Sequence, residues 1–410
     1  MKDIKTILFL LIIFFTFLAG SIHSDWVVES KEKGKIVVDL DIPTMGQDRV
    51  FLYSTLYKNV KVIFLETNES CLIGQIDKMR VDDQYILILD RRIAKRLFVF
   101  NKEGHFIKNI GNIGHGPGEY VSIDDFTIDR ENKTIYILDN SLGRIHKYDL
   151  PSGKYMHSIK LSQSVKSHHI AYIKGKLYVD AFFYTHSEKD YLLRAIQESS
   201  EIEKNYLNVM EYNKGFSNTN SNVQRKTFYL RENGNLIFVQ PFMDRLIEIT
   251  NDSIHSYIDL KSKNLLTSEE IKKYNNSFIN MRELMSLNKY FNIMSFIEKG
   301  DLIFMNMMKG RRLHNVLINK KNNEFTNFEG HLDDLLIRES GNYSMPLPEF
   351  GCLDDSGAGA YYYTADSEMA SEFQTLAKIG VLSPGLCGLN DFENFDEDEN
   401  PILFYYEFQE

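Results

Sequence analysis

Cysteine, proline and tryptophan are scarce, at three, eight and one in 410 residues. Cys71, Cys352 and Cys387 form an odd and widely spread set, unlike a disulfide framework or a zinc cluster. A single Cys352–Cys387 bridge and buried free thiols are both open readings. No CxxC, HExxH, EF-hand loop or P-loop occurs, so no metal, nucleotide or other cofactor is expected. Positive charge is also short. Lys plus Arg total 47 against 57 Asp plus Glu, and the net charge of -10 repels phosphate backbones and anionic bilayers, which argues against nucleic acid as a partner.

Apolar residues make up 43% and charged residues 25%, enough for a buried core and unlike a disordered chain. The aromatic share of 13%, carried by 28 Phe and 23 Tyr, suits strands. One long apolar run stands out: Lys2 and Lys5 precede Ile7–Ala19, 13 residues, followed by Gly20, Ser21 and Ser24. It is shorter than the roughly 20 residues of a spanning helix and ends in small residues, so residues 1–24 read as a secretory signal. The expected product is exported, periplasmic or extracellular, with no membrane span after signal removal.

Self-similarity organises the rest. Four segments share an apolar strand, a polar turn, and an Arg-aliphatic pair opening a second strand: Ile86–Asn101, Ile135–Asp149, Leu236–Thr250 and Leu302–Leu317. The aligned arginines Arg96, Arg144, Arg245 and Arg312 are 48, 101 and 67 residues apart, a period near 50 with one degenerate unit at Lys176–Ile196 and one insertion. Short strands at that period match propeller blades. Gly104 and Gly153 sit where tight hairpins need positive φ. A sixth blade is expected from the two ends, Val60–Leu65 and Pro401–Phe408, with Tyr343–Thr364 adding strands. Two stretches read as amphipathic helices: Thr267–Leu287, with Thr267 and Glu270 at capping-box spacing, and Asp366–Ile379, stopped by Gly380. The fold class is therefore all-β, a six-bladed β-propeller with short helical insertions. Residues 25–410 form a single domain closed by N- and C-terminal strands.

The Arg-aliphatic strand after a D/N turn resembles the NHL repeat. The loop Gly111–Tyr120 (GNIGHGPGEY) and the terminal Glu399–Leu403 (ENPIL) resemble the bacterial secreted six-bladed β-propeller family of uncharacterised function, NHL/TolB-like. Gly114, Gly116, Pro117, Gly118, Glu119 and Tyr120 are its most specific piece. The resemblance implies the fold and not an activity.

Glycines in Gly111–Tyr120 admit close backbone approach or an inter-blade crossing in left-handed geometry, and His115, Glu119 and Tyr120 are its candidate ligand-binding residues. Recurrence of Asp90, Asp139 and the arginines by blade points to a repeated structural bond, such as Arg to a carboxylate or carbonyl of the adjacent blade. His168 and His169 alternate on a strand and do not suit one metal ion. The basic turn Arg91–Arg96 and the acidic stretch Asp391–Glu399 read as solvated. A ligand-binding or protein-interaction module is the leading function, its ligand an extracytoplasmic glycan, peptide or protein at the loop face around the channel. The alternative is a hydrolase or lyase with a channel-mouth active site, which a carboxylate pair or a His–carboxylate pair at the mouth would favour.

Overall fold

A computed structural model describes residues 28–29, 35–42, 51–161, 167–181, 190–197, 202–216, 226–251, 253–274, 283, 286–328, 331–337, 350–353, 358–364, 366–383, 392, 395 and 398–409. The signal segment lies outside them, as do Cys387 and most of the acidic stretch before Asn400. Cys71 is a buried free thiol.

Six sheets of four or five strands form the blades of a propeller. Blade one is Lys78–Val81, Tyr85–Asp90, Arg96–Asn101 and Phe106–Asn109; blade two is Asp125–Asp129, Thr134–Asp139, Arg144–Asp149 and Tyr155–Lys160. Blade three is Ile170–Ile173, Lys176–Asp180, Tyr191–Ile196 and Ile202–Asn208. Blade four holds Phe228–Leu230, Leu236–Phe238, Arg245–Ile249 and Ile254–Lys261, and blade five Tyr290–Lys299, Leu302–Lys309, Arg312–Asn319 and Glu324–Phe328. Blade six mixes the ends of the chain: Phe350–Leu353, Gly359–Tyr363 and Ile402–Phe408, then Tyr57–Phe64 as its outer strand. Each of the four Arg-led repeats is an antiparallel hairpin within one blade.

Alternation along a strand explains why blades stack. Successive side chains point to opposite faces, and here both faces are buried. Ile86, Ile88, Phe98 and Phe100 pack with Tyr361, Tyr363 and Leu403 of blade six. Their neighbours Leu87, Leu89, Leu97 and Val99 pack with Phe126, Ile128, Ile135 and Ile137 of blade two. The strands are thus apolar at nearly every position, as sheets covered on both sides require.

In blade six, Leu403 lies opposite Ile63 and Phe404 opposite Val62. Asn400, 1% exposed, fastens this junction: its Oδ1 accepts from Ile73 N at 2.7 Å, and its Nδ2 donates to the carbonyls of Glu66 and Cys71 at 2.8 and 2.9 Å. The ENPIL segment is therefore a clasp. Upstream, Ile36–Asp39 pairs in parallel with the outer strand of blade four, and Val28–Glu29 pairs with the outer strand of blade five. Both cover sheet edges that would otherwise be open.

Helices occupy the two insertions. Ser268–Tyr274 starts with a reciprocal capping box, Thr267 N to Glu270 Oε2 at 2.8 Å and Glu270 N to Thr267 Oγ1 at 3.2 Å. Ser367–Lys378 ends at Gly380, φ +73°, whose N–H reaches the Ala377 carbonyl at 3.0 Å. Its Phe373 ring lies 4.8 Å from Phe404 and is fully buried.

Candidate functional site

In an antiparallel blade the first strand starts where the second ends, so one face of the ring gathers the inter-blade connections and the second turns. The recurring aspartates end the second strands of blades one to three and are buried, at 0%, 0% and 2% exposure for Asp90, Asp139 and Asp180. Each accepts backbone N–H groups from the connection arriving at its own blade. Asp90 Oδ2 takes Gly74 N at 2.8 Å and Gln75 N at 3.1 Å, and its Oδ1 takes Ile93 N at 2.8 Å. Asp139 takes Val121 N, Leu142 N and the Ser122 hydroxyl at 2.8–2.9 Å. Asp180 Oδ1 takes both His168 N and His169 N at 2.8 Å.

This corrects the expectation of an arginine-centred bond. Arg96, Arg144 and Arg312 are exposed, and Arg245 is half-buried against its chain neighbour Asp244 at 2.9 Å. The repeated bond belongs to aspartate and backbone. A short carboxylate at the strand end can turn back onto the connection, whereas Arg96, Arg144 and Arg312 begin the next strand in exposed positions. Burial raises the Asp139 carboxyl, but the nearby His146 imidazole and the bonds from Leu142, Val121 and Ser122 outweigh that and hold it down at about 2.

Near Asp180, His169 Nδ1 lies 2.8 Å from Asp180 Oδ2 and 2.7 Å from Thr227 Oγ1. This His–carboxylate pair joins blades three and four. Burial lowers the neighbouring His168 imidazole, with Asp180 and Asp124 opposing and His169 and Arg91 reinforcing the shift.

The first strands of blades four and five and of blade six converge with that of blade one on the axis. At their start lies a narrow cavity of about 40 Å³ lined by residues of blades one, four, five and six, among them Asp77, Met79, Lys226, Tyr229, Met294 and Tyr363. Asp77 accepts from Arg91 N at 2.8 Å, which ties the basic turn to the mouth. Lys226 Nζ lies 5.0 Å from the Tyr229 ring centroid. Lys78 is held aside, bonded to Asp125 Oδ1 and Oδ2 and the Phe126 carbonyl at 2.7–2.8 Å. The mouth thus presents apolar walls together with the Asp77 carboxylate and the Lys226 ammonium. Asp77, Lys226 and Tyr363 come from three remote stretches; the only trace in the sequence is that each lies at or next to the end of an apolar strand.

The loop Gly111–Tyr120 runs on the same face between blades one and two. Asn112–Ile113 pairs in parallel with Glu119–Tyr120. His115 is exposed, while Glu119 is half-buried with its Oε2 accepting Gly116 N at 2.8 Å. Tyr120 is 1% exposed, its hydroxyl donating to the Lys95 carbonyl at 3.3 Å. A Cβ on Gly114 would collide with the Glu119 carboxylate, and Gly118 adopts φ +78°. These glycines are what let the loop fold around Glu119. None of the three candidate residues lines the mouth cavity, and no group of three or more metal-ligating side chains occurs among the described residues.

The model of a family described as a domain of unknown function, DUF4934, matches residues 35–407. The chain belongs to this family. Among solved structures, the DUF4934 chain is similar to a protein of Bacteroides fragilis NCTC 9343 described as exported, with 18% identity and a TM-score of 0.71 over 92% of this chain and 99% of that one. A member of the duf4221 family from Bacteroides vulgatus ATCC 8482 shows 11% identity and a TM-score of 0.45, covering 94% and 99% of the two chains. Virginiamycin B lyase from Staphylococcus aureus shows 11% identity and a TM-score of 0.39, covering 75% and 82%. At these identities the likeness concerns the fold alone. No curated protein matches the sequence.

Proposed function

We propose that this DUF4934 propeller is an exported binding module that takes an extracytoplasmic glycan, peptide or protein at the channel mouth. The observation that carries the reading is the convergence of four blades on one mouth, where apolar, aromatic and charged side chains surround a narrow cavity of about 40 Å³. Residues 1–24 act as the export signal, in keeping with the description of the Bacteroides fragilis neighbour as exported, and residues 25–410 act as one closed domain. Among the described residues no helix is long and apolar enough to cross a membrane. His115 serves as a rim contact, with Glu119 and Tyr120 as candidate contacts that also set the shape of their loop.

The His169–Asp180 pair favours a second reading, a hydrolase or lyase, because a carboxylate on Nδ1 orients an imidazole for proton transfer. Binding is preferred. Asp180 occupies the same position as Asp90 and Asp139, so the repeated backbone bond already accounts for it, and His169 does not line the cavity. Glycan and peptide arrays probed with the secreted form test the proposal. Lys226→Ala and Met294→Trp, the latter filling the mouth, are expected to abolish signals given by the wild type while preserving its melting temperature. Undiminished signals in both folded variants would overturn it.

A further inference from the structure

A cleft between blades two and three opens on the face opposite the channel mouth. The mouth stands where first strands begin, and this cleft lies towards their ends, with Asp129 in blade two and Tyr172 in blade three. Its volume is about 190 Å³, below the roughly 300–1,000 Å³ of sites for drug-sized ligands, so its occupant is small. Tyr136 and Tyr172 form an aromatic wall, their rings stacked with centroids 5.6 Å apart and planes at 15°. Leu177 and Ile196 add apolar surface. At Gly175 the cleft is open, since a Cβ there would meet nothing within 4 Å.

Asp129 lines the cleft although it is only 2% exposed. Its Oδ1 accepts from Asn132 N at 3.2 Å and its Oδ2 from Asn132 Nδ2 at 2.7 Å, two donors on a carboxylate that can take about four. Burial, with the Asp129 carboxylate beside it, pushes the Tyr172 phenol up, so that hydroxyl keeps its proton at physiological pH. The second charge in the lining is Lys147, whose Nζ lies 5.2 Å from the Tyr136 ring centroid. One carboxylate and one ammonium leave the lining without net formal charge.

We propose that this cleft binds a single neutral sugar ring, its C–H face against the tyrosine wall and its hydroxyls on Asp129 and Asn132. A balanced lining gives no net attraction to a simple anion or cation, whereas a ring with an apolar face and a polar rim matches aromatic side chains set beside hydrogen-bonding groups. Hydroxyls donating to the buried carboxylate use the acceptor capacity that Asn132 leaves over, in charge-assisted bonds. The site is separate from the channel mouth, which lies at the other ends of the first strands.

Calorimetric titration of the full chain with methyl glucoside, methyl galactoside and methyl mannoside, and with glycerol and glycine as comparators, tests the proposal. At least one glycoside is expected to bind saturably at one site, and neither comparator is. Tyr172→Ala, which removes half of the wall, and Asn132→Trp, which fills the cleft from its exposed rim, should each weaken binding at least tenfold. Absence of saturable binding by all three glycosides, equal binding of glycerol or glycine, or wild-type affinity in both variants would overturn the proposal. So would binding that is lost in Met294→Trp and kept in Asn132→Trp, since that result puts the sugar at the mouth. Melting curves establish that each variant is folded before titration.

Discussion

Asp333 is sealed from solvent at the junction of blades five and six, accepting Leu336 N at 2.9 Å and the Tyr406 hydroxyl. Burial pushes its carboxyl up to about 6, against roughly 3.9 in an unfolded chain. Between those values the native state holds a proton that the unfolded chain has released. This residue's contribution to stability therefore falls as pH rises from about 4 to about 6. Asp333→Asn keeps an acceptor without the charge, so from pH 4 to pH 7 the variant is expected to gain on the order of 2 kcal/mol relative to wild type in denaturant unfolding. A difference independent of pH would contradict the assignment. The corrected repeat bond makes a second prediction at this scale. Asp139→Ala strands two backbone N–H groups and a hydroxyl, at a cost of roughly 2–4 kcal/mol, whereas exposed Arg144→Ala stays within about 0.5 kcal/mol. Equilibrium unfolding of the two variants decides it.

Elements were legible where local pattern and tertiary role coincide. The four Arg-led hairpins fall where the repeat puts them, because a two-strand unit has the same turn chemistry and the same two buried faces in every blade. The helix Ser367–Lys378 was readable from the amphipathic stretch Asp366–Ile379 and its stop at Gly380, and Phe373→Ala is expected to cost about 3–5 kcal/mol in unfolding free energy. A loss below about 1 kcal/mol would mean that the helix is not part of the core. The parallel strand Ile36–Asp39 was not anticipated, because it completes a sheet more than 200 residues further along the chain and carries no repeat signature. The mouth residues were missed for the same reason. Asp77, Lys226 and Tyr363 each look like an ordinary residue at a strand end until the ring brings them together. Asp333 gave no sign either, since the hydroxyl facing it is that of Tyr406, 73 residues on.

At the scale of the whole molecule, the ring depends on one junction in which the strands Ile402–Phe408 and Tyr57–Phe64 share blade six and Asn400 clasps the connection beside them. Blade stacking makes every sheet the cover of the next, so an open ring exposes an apolar face on each side of the gap. Six sheets closed on one another also set the geometry of the channel mouth, and the proposed binding role rests on that closure. Differential scanning calorimetry of a chain lacking residues 401–410 tests it most directly. A closed ring predicts loss of the single cooperative transition, while a melting curve like that of the intact chain would contradict it.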